Sequence, residues 1–248
     1  MILVGDIGNT ETKICLVNSQ NNIFKKINLN TKKIDNIRLK AVFRKKNIFR
    51  HKIKKVLFCS VVPKAFNQIK KIFYQKLKIK IYELKDLDLK KMINIKVNYK
   101  QIGSDRLANA LSVIGEKKNY IILDFGTATT FDVLVKKNYY GGVIAPGVKL
   151  SLKSLSDRAS LIPIINLKKP KKVIGQNTIN AVRSGFFWGY AGLIDNIVNL
   201  IKKETKKSFE IIITGGFSNL FKKSIKAKVT LNKDITINGL IKASILIK

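Results

Sequence analysis

Two carboxylate-glycine turns carry the residue types that phosphate chemistry needs. In the first, Leu3-Val-Gly-Asp6-Ile7-Gly8-Asn9-Thr10 runs through Glu11-Thr12-Lys13 into the apolar Ile14-Cys-Leu-Val17. In the second, Ile122-Leu-Asp124-Phe-Gly126-Thr127 runs through Ala-Thr-Thr130 and Phe-Asp132 into Val133-Leu-Val135. Each reads as a strand, an Asp-x-Gly turn and a second strand, a β-hairpin with a hydroxyl-rich tip. Glycine lets the backbone approach an anion, and consecutive turn N–H groups can point at it. A carboxylate at the strand end can hold Mg²⁺, directly or through water, and a nearby lysine can neutralise phosphate charge. One copy would be matched by any ordinary hairpin turn with a solvated lysine. Two copies, half a chain apart, point to two related halves gripping a polyphosphate in a cleft. No G-x-x-x-x-G-K-[ST] or G-x-G-x-x-G run occurs, so neither a P-loop nor a Rossmann site is on offer. A third glycine element, Ile213-Thr-Gly-Gly216-Phe-Ser-Asn219, follows a strand pattern and could pass close to an adenine or ribose.

The elements that must position these turns alternate between strand and helix. Val56–Val62 is a short apolar run ended by Pro63, which suits a buried strand, and Phe66, Ile69, Phe73 and Leu77 recur at helical spacing over Ala65–Lys78. Ser104 reads as the N-cap of a second helix with Leu107, Ala108, Leu111 and Ile114 on one face. Asn177–Lys203 is a long helical region, and Phe209–Ile213 is a strand. Alternating strands and helices make an α/β protein, and the expected domain boundary near residue 118 gives halves 1–118 and 119–248. Asp105, in the first turn after Ser104, is explained equally well as a helix-dipole residue or as a catalytic acid-base group. The same helix start would favour an anionic substrate, with Arg106 placed to fork onto a carboxylate.

Composition narrows the chemistry further. The chain has 248 residues, 46% of them hydrophobic, enough for one or two cored domains. His51, the single histidine, lies in a basic stretch and reads as a solvated surface residue, which removes Ser-His-Asp and Cys-His mechanisms. Cys15 and Cys59 stand in no metal or redox spacing and read as buried, reduced thiols. The chemistry must therefore run on carboxylates, hydroxyls, backbone and bound metal. No uncharged run reaches the roughly 20 residues of a membrane span, and the N-terminus opens directly into a strand, so a cytoplasmic location is expected. The net charge of +34 would attract polyanions. Only 6 of the 49 basic residues are Arg, however, and base readout leans on Arg, so nucleic-acid binding is expected to be at most non-specific.

Paired Asp-x-Gly hairpins with a Thr-Gly-Gly turn resemble the acetate and sugar kinase, heat-shock ATPase and actin superfamily. Within it, the motifs are similar to those of type III pantothenate kinases: Asp6-Ile-Gly-Asn-Thr-x-x-Lys13, Cys59-Ser-Val-Val-Pro63, Gly103-Ser-Asp-Arg106, Asp124-Phe-Gly-Thr-Ala-Thr-Thr-Phe-Asp132, Gly141-Gly-Val-Ile-x-Pro-Gly147, Gly175-Gln-Asn-Thr178 and Thr214-Gly-Gly216, in family order. Tyr99 stands closer to Gly103 than is usual in that family. The resemblance implies two related actin-like (ribonuclease H-like) domains with an ATP cleft between them. It implies transfer of a phosphoryl group from ATP to pantothenate, giving 4′-phosphopantothenate for coenzyme A synthesis. It assigns Asp6, Ile7, Gly8, Asn9, Thr10, Glu11, Thr12, Lys13 and Thr127 to ATP, with Asp6 organising Mg²⁺. Asp124 would hold a monovalent cation, K⁺ or ammonium. Tyr99, Gly103, Ser104, Asp105, Arg106 and Thr178 would hold pantothenate, and Asp105 would be the general base. A homodimer is also implied, for which the apolar segment Ser184-Gly-Phe-Phe-Trp-Gly-Tyr190 is a candidate interface or core helix. Two other readings stay open at the level of sequence: a kinase for another small hydroxyl substrate, and a non-enzymatic regulatory or nucleic-acid-associated protein of the same fold.

Overall fold

Strict alternation along the first strand, β1 (Ile2–Ile7), decides which of its side chains enter the core. Leu3 and Ile7 join a buried cluster, while Val4 and Asp6 take the opposite face. β1 pairs antiparallel with β2 (Glu11–Val17), which pairs antiparallel with β3 (Ile23–Asn30). On its other edge β1 runs parallel to β4 (Lys55–Ser60), followed by β5 (Ile81–Glu83), giving the order β3-β2-β1-β4-β5. Helices α1 (Asn36–Lys45) and α2 (Pro63–Leu77) cover the Leu3–Ile7 face through Leu39, Phe43, Ile69 and Phe73. Pro63 opens α2 at the position where its missing N–H costs nothing. A two-residue strand, β6 (Asn94–Ile95), precedes α3 (Ser104–Val113).

The structure, a computed structural model describing residues 1–115 and 117–247, divides into two compact units: Met1–Ile114 with Asp234–Lys248, and Gly115–Lys233. The second unit repeats the strand plan of the first. β7 (Asn119–Phe125), β8 (Ala128–Val135) and β9 (Asn138–Pro146) form an antiparallel meander, β10 (Glu210–Gly215) runs parallel beside β7, and β11 (Val229–Leu231) runs parallel beside β10. Its core gathers Leu123, Phe131, Phe187, Ile194 and Ile213, with contributions from α4 (Val148–Arg158), α5 (Thr178–Thr205) and α6 (Ser218–Phe221). Ser184–Tyr190 is split by this packing: Phe187 is fully buried, while Gly185 and Gly189 have open space where a Cβ would stand. Among the described residues no helix is long and apolar enough to cross a membrane.

The division corrects the expected halves 1–118 and 119–248. The last helix, α7 (Ile235–Ala243), belongs with the first unit, because Ile235, Ile237, Leu240 and Ile241 are all buried and the helix packs on α3 and β1. His51 also departs from a purely solvated role, since its Nε2 lies 3.1 Å from the Lys25 ammonium and its ring meets Phe24 edge-on.

The α3–α7 contact is close enough that a Cβ on Gly239 would overlap the carbonyl of Ala108. Gly239→Ala should therefore cost about 1–3 kcal/mol, as overpacked sites do. A urea titration checks this, and an unchanged midpoint would show that the two helices separate without penalty.

Candidate active site

In the first unit the hairpin register sets the chemistry. Asp6 stands opposite Lys13 on β2 and beside Cys59 on β4, so all three share the face away from the Leu3–Ile7 core. The Cys59 thiol donates to Asp6 Oδ1 at 3.4 Å. Burial, and then the charge of Asp105, push the Asp6 carboxyl up from the ordinary 3.8 to about 6, against the smaller pull of Cys59 and Lys13. Burial, followed by the same carboxylates, pushes the Cys59 thiol up as well, so it stays protonated as a donor. The tip closes through Gly8 N–H donating to the Glu11 carbonyl at 3.0 Å, leaving Asn9, Thr10 and Glu11 exposed. Alternation removes two assigned side chains from any ligand: Ile7 is fully buried, and Thr12 is buried with its hydroxyl 2.9 Å from that of Thr31. Neither side chain is free to meet a ligand there.

Asp105 enters the same neighbourhood from the start of α3. The expected N-cap is corrected here. Gly103 takes that position, and the buried Ser104 hydroxyl donates to Glu83 instead. Glu83, a residue that no motif in the sequence signalled, also accepts from the Ser60 N–H at 3.3 Å and the Lys85 N–H at 2.6 Å. One carboxylate thus ties the end of β4, the end of β5 and the first turn of α3 together. Asp105 Oδ1 accepts from the Arg106 N–H at 2.8 Å, which fixes the carboxylate's orientation at the helix start. Tyr99 is half-buried, its hydroxyl donating to the Lys85 carbonyl at 3.4 Å. Burial, then Glu83 and Asp86, push its phenol up. A second unsignalled carboxylate, Asp234 at the start of α7, lies 3.4 Å from the Lys13 ammonium and 2.5 Å from that of Lys26.

The second unit repeats the turn with different dressing. Asp124 pairs in register with Thr130 and takes the face opposite Leu123 and Phe125. The Gly126 N–H donates to the Ala128 carbonyl at 3.0 Å, and Thr127 is exposed at the tip. A Cβ on Gly215 would come within 2.6 Å of Asp124 Oδ1, and its φ of +85° is itself a glycine conformation. The Thr214-Gly-Gly216 backbone can therefore lie against this carboxylate only because it lacks side chains there. Asp132 is fully buried and accepts from the Tyr139 hydroxyl, a structural role. Thr178 is the first residue of α5, exposed beside the capping Asn177, whose side chain accepts from the Asn180 N–H. With Pro163, Ile179 and Arg183 these residues line a cavity of about 450 Å³.

Both carboxylates fit cations. Among the described residues no three His, Cys, Asp or Glu side chains converge as a metal cage. Mg²⁺ at kinase sites is instead held by one or two carboxylates together with substrate phosphates. Asp6, poor in solvent and next to another acid, gains most from such a cation. Asp124 sits in a backbone cradle that a Cβ would fill, a suitable setting for a weakly hydrated monovalent ion.

Comparison with known proteins identifies the family. Residues 2–200 match the family model described as type III pantothenate kinase. The chain is 70% identical to a type III pantothenate kinase of Pelagibacter ubique over 248 residues, covering 100% of both. It is 32% identical to one of Syntrophotalea carbinolica, covering 97% of this chain and 96% of that protein. Among solved structures, the activator of the 2-hydroxyisocaproyl-CoA dehydratase from Clostridium difficile with bound ADPNP superposes at a TM-score of 0.53 and 12% identity, over 98% of this chain and 92% of that one. That likeness shows the actin-like fold alone.

The raised Asp6 carboxyl makes a signed prediction. A group whose folded value lies above its unfolded one contributes its stability below the unfolded value and loses it as pH rises through the folded value. Ionising Asp6 should thus destabilise the nucleotide-free protein between about pH 4 and pH 6–7, by at most about 3 kcal/mol. Asp6→Asn, in chelator, should exceed the wild type in stability at pH 8 and converge with it near pH 4. Parallel stability curves for the two proteins would contradict this.

Proposed function

We propose, from the premise that this chain belongs to the type III pantothenate kinase family, how its residues divide the transfer of a phosphoryl group from ATP to pantothenate. What supports the proposal is that Asp105, in the first turn of α3, lies near enough to raise the carboxyl of Asp6, which shares its strand face with Lys13. The Asp6–Lys13 turn binds the ATP phosphates through its backbone N–H groups and Lys13, while Thr127 hydrogen-bonds phosphate from the second hairpin. Mg²⁺, held by Asp6 directly or through water, would neutralise charge on the phosphates. Asp124 would hold K⁺ or ammonium.

On the acceptor side, Gly103–Arg106, Tyr99 and Thr178 hold pantothenate. Arg106 offers its guanidinium to the pantothenate carboxylate, and Ser104 contributes backbone, its hydroxyl being engaged by Glu83. Asp105 takes the proton from the pantothenate hydroxyl as the oxygen attacks phosphorus. Phosphoryl transfer requires positioning and charge neutralisation rather than covalent intermediates, which suits a site built without histidine. The reaction is assigned to the cytoplasm, where ATP is made available and where buried free thiols such as Cys15 and Cys59 stay reduced. The homodimer assignment draws on exposed apolar side chains in the second unit, Ile144 and Tyr140 on β9 and Trp188 on α5. A monomer by light scattering at physiological salt would contradict it.

Incubation with γ-labelled ATP should move the label to pantothenate, faster in K⁺ or ammonium than in Na⁺ at matched ionic strength. Asp105→Asn should lower kcat by about 10²–10⁴-fold with ATP binding kept. Wild-type turnover in that variant would return Asp105 to a helix-start role. ATP hydrolysis with no label on pantothenate would reject the acceptor assignment.

A further inference from the structure

The far end of the chain brings one more carboxylate to the first hairpin. Asp234 stands at the start of α7, where an aspartate ordinarily accepts a hydrogen bond from the first turn of its own helix. It makes no such capping bond. Its Oδ1 instead takes the ammonium groups of Lys26, at 2.5 Å, and Lys13, at 3.4 Å. In a chain with 49 basic and 15 acidic residues, a lysine beside an aspartate is unremarkable by itself. The sacrificed cap and the identity of Lys13 are what give the contact meaning. α7 is also fixed in place. Thr236 donates to the Asn109 side chain at 2.7 Å, Lys242 donates to the Ser112 carbonyl at 2.5 Å, and Gly239 lies against Ala108. All three contacts are to α3, the helix whose first turn carries Asp105. The helix that carries the carboxylate is therefore anchored, not a loose end of the chain.

Lys13 has a second acid within reach, because the hairpin register sets it directly across from Asp6. A lysine drawn fully onto Asp6 would occupy the carboxylate that the phosphate-bound cation needs. We propose that Asp234 is a positioning residue for nucleotide binding: it anchors the Lys13 ammonium beside the phosphate turn and away from Asp6, while Lys26 takes the larger share of its charge. The two distances suit that division. The shorter contact, to Lys26, keeps the carboxylate paired throughout. The longer one, to Lys13, is the one that exchanges for a phosphate oxygen. Burial pushes the Asp234 carboxyl up, yet the two lysines more than offset this and hold it below the ordinary value, so it is an anion wherever ATP is bound at neutral pH.

The inference rests on reading Lys13 as a phosphate ligand, and a double-mutant cycle separates the two ideas. KM for ATP, and independently the Kd of a fluorescent ATP analogue, are measured for the wild type, Asp234→Ser, Asp234→Asn, Lys13→Ala and Lys13→Ala/Asp234→Ser. Serine is a good helix N-cap, so it removes the charge while preserving the start of α7. Both Asp234 variants should weaken ATP about 3–10-fold, with kcat within about twofold, and Asp234→Ser should add nothing in the Lys13→Ala background. An equal penalty in both backgrounds would mean that Asp234 only supports the fold, and no penalty would remove its role outright. If Lys13→Ala alone leaves both ATP constants unchanged, the phosphate reading of Lys13 has failed and the proposal falls with it, a result visible in that single variant.

Discussion

Asp6 is a carboxylate that the fold draws out of water and then exposes to the charge of a second one, Asp105. Each half of that arrangement raises the energy of the anion, and the Lys13 and Cys59 contacts recover only part of it. Without ligand, the cheapest relief is a proton. A cation shared with phosphate, the role proposed above for Mg²⁺, would relieve the anion in a site short of histidine and thiolate. The surroundings of Asp6 follow from this requirement. The β1–β2 register puts Lys13 opposite it, the β1–β4 register puts a protonated thiol beside it, and α3 brings Asp105 toward it.

Asp105 acts on Asp6 from the first turn of α3, and that helix is held in place. Two anchors do this from opposite ends of the helix. Glu83 grips the first turn through the Ser104 hydroxyl and joins it to the ends of β4 and β5. α7 grips the body and last turn through Ala108, Asn109 and Ser112. Both anchors use scarce resources in this chain, a half-buried acid in one case and a glycine contact without slack in the other.

The parts legible in sequence were those written in local pattern. Both hairpins, the β4 strand before Pro63, and helices α2 and α5 lie where periodicity and turn residues put them. The misreadings share a cause, which is that the deciding partner is distant. Ser104 has the chemistry of an N-cap, but Glu83, 21 residues earlier, claims its hydroxyl and leaves Gly103 to cap the helix. Asp234 lies 221 residues from Lys13 and carries no motif, so nothing in its neighbourhood marks it. α7 sits beyond the second half in sequence, yet its apolar residues find their cover on α3 and β1, which moves the domain boundary. Ile7 and Thr12 were legible: a period of two from Asp6 and Lys13 already turns them into the core.

The central claim is that Asp6 and Asp105 share one electrostatic environment in the folded protein. Carbon-13 NMR of the side-chain carboxyls, titrated without nucleotide or divalent metal, reads it directly. Asp6 should titrate near 6 in the wild type and at a lower value in Asp105→Asn, since that variant removes the second carboxylate's charge. An Asp6 resonance that titrates near the ordinary 3.8 in both proteins would contradict the account.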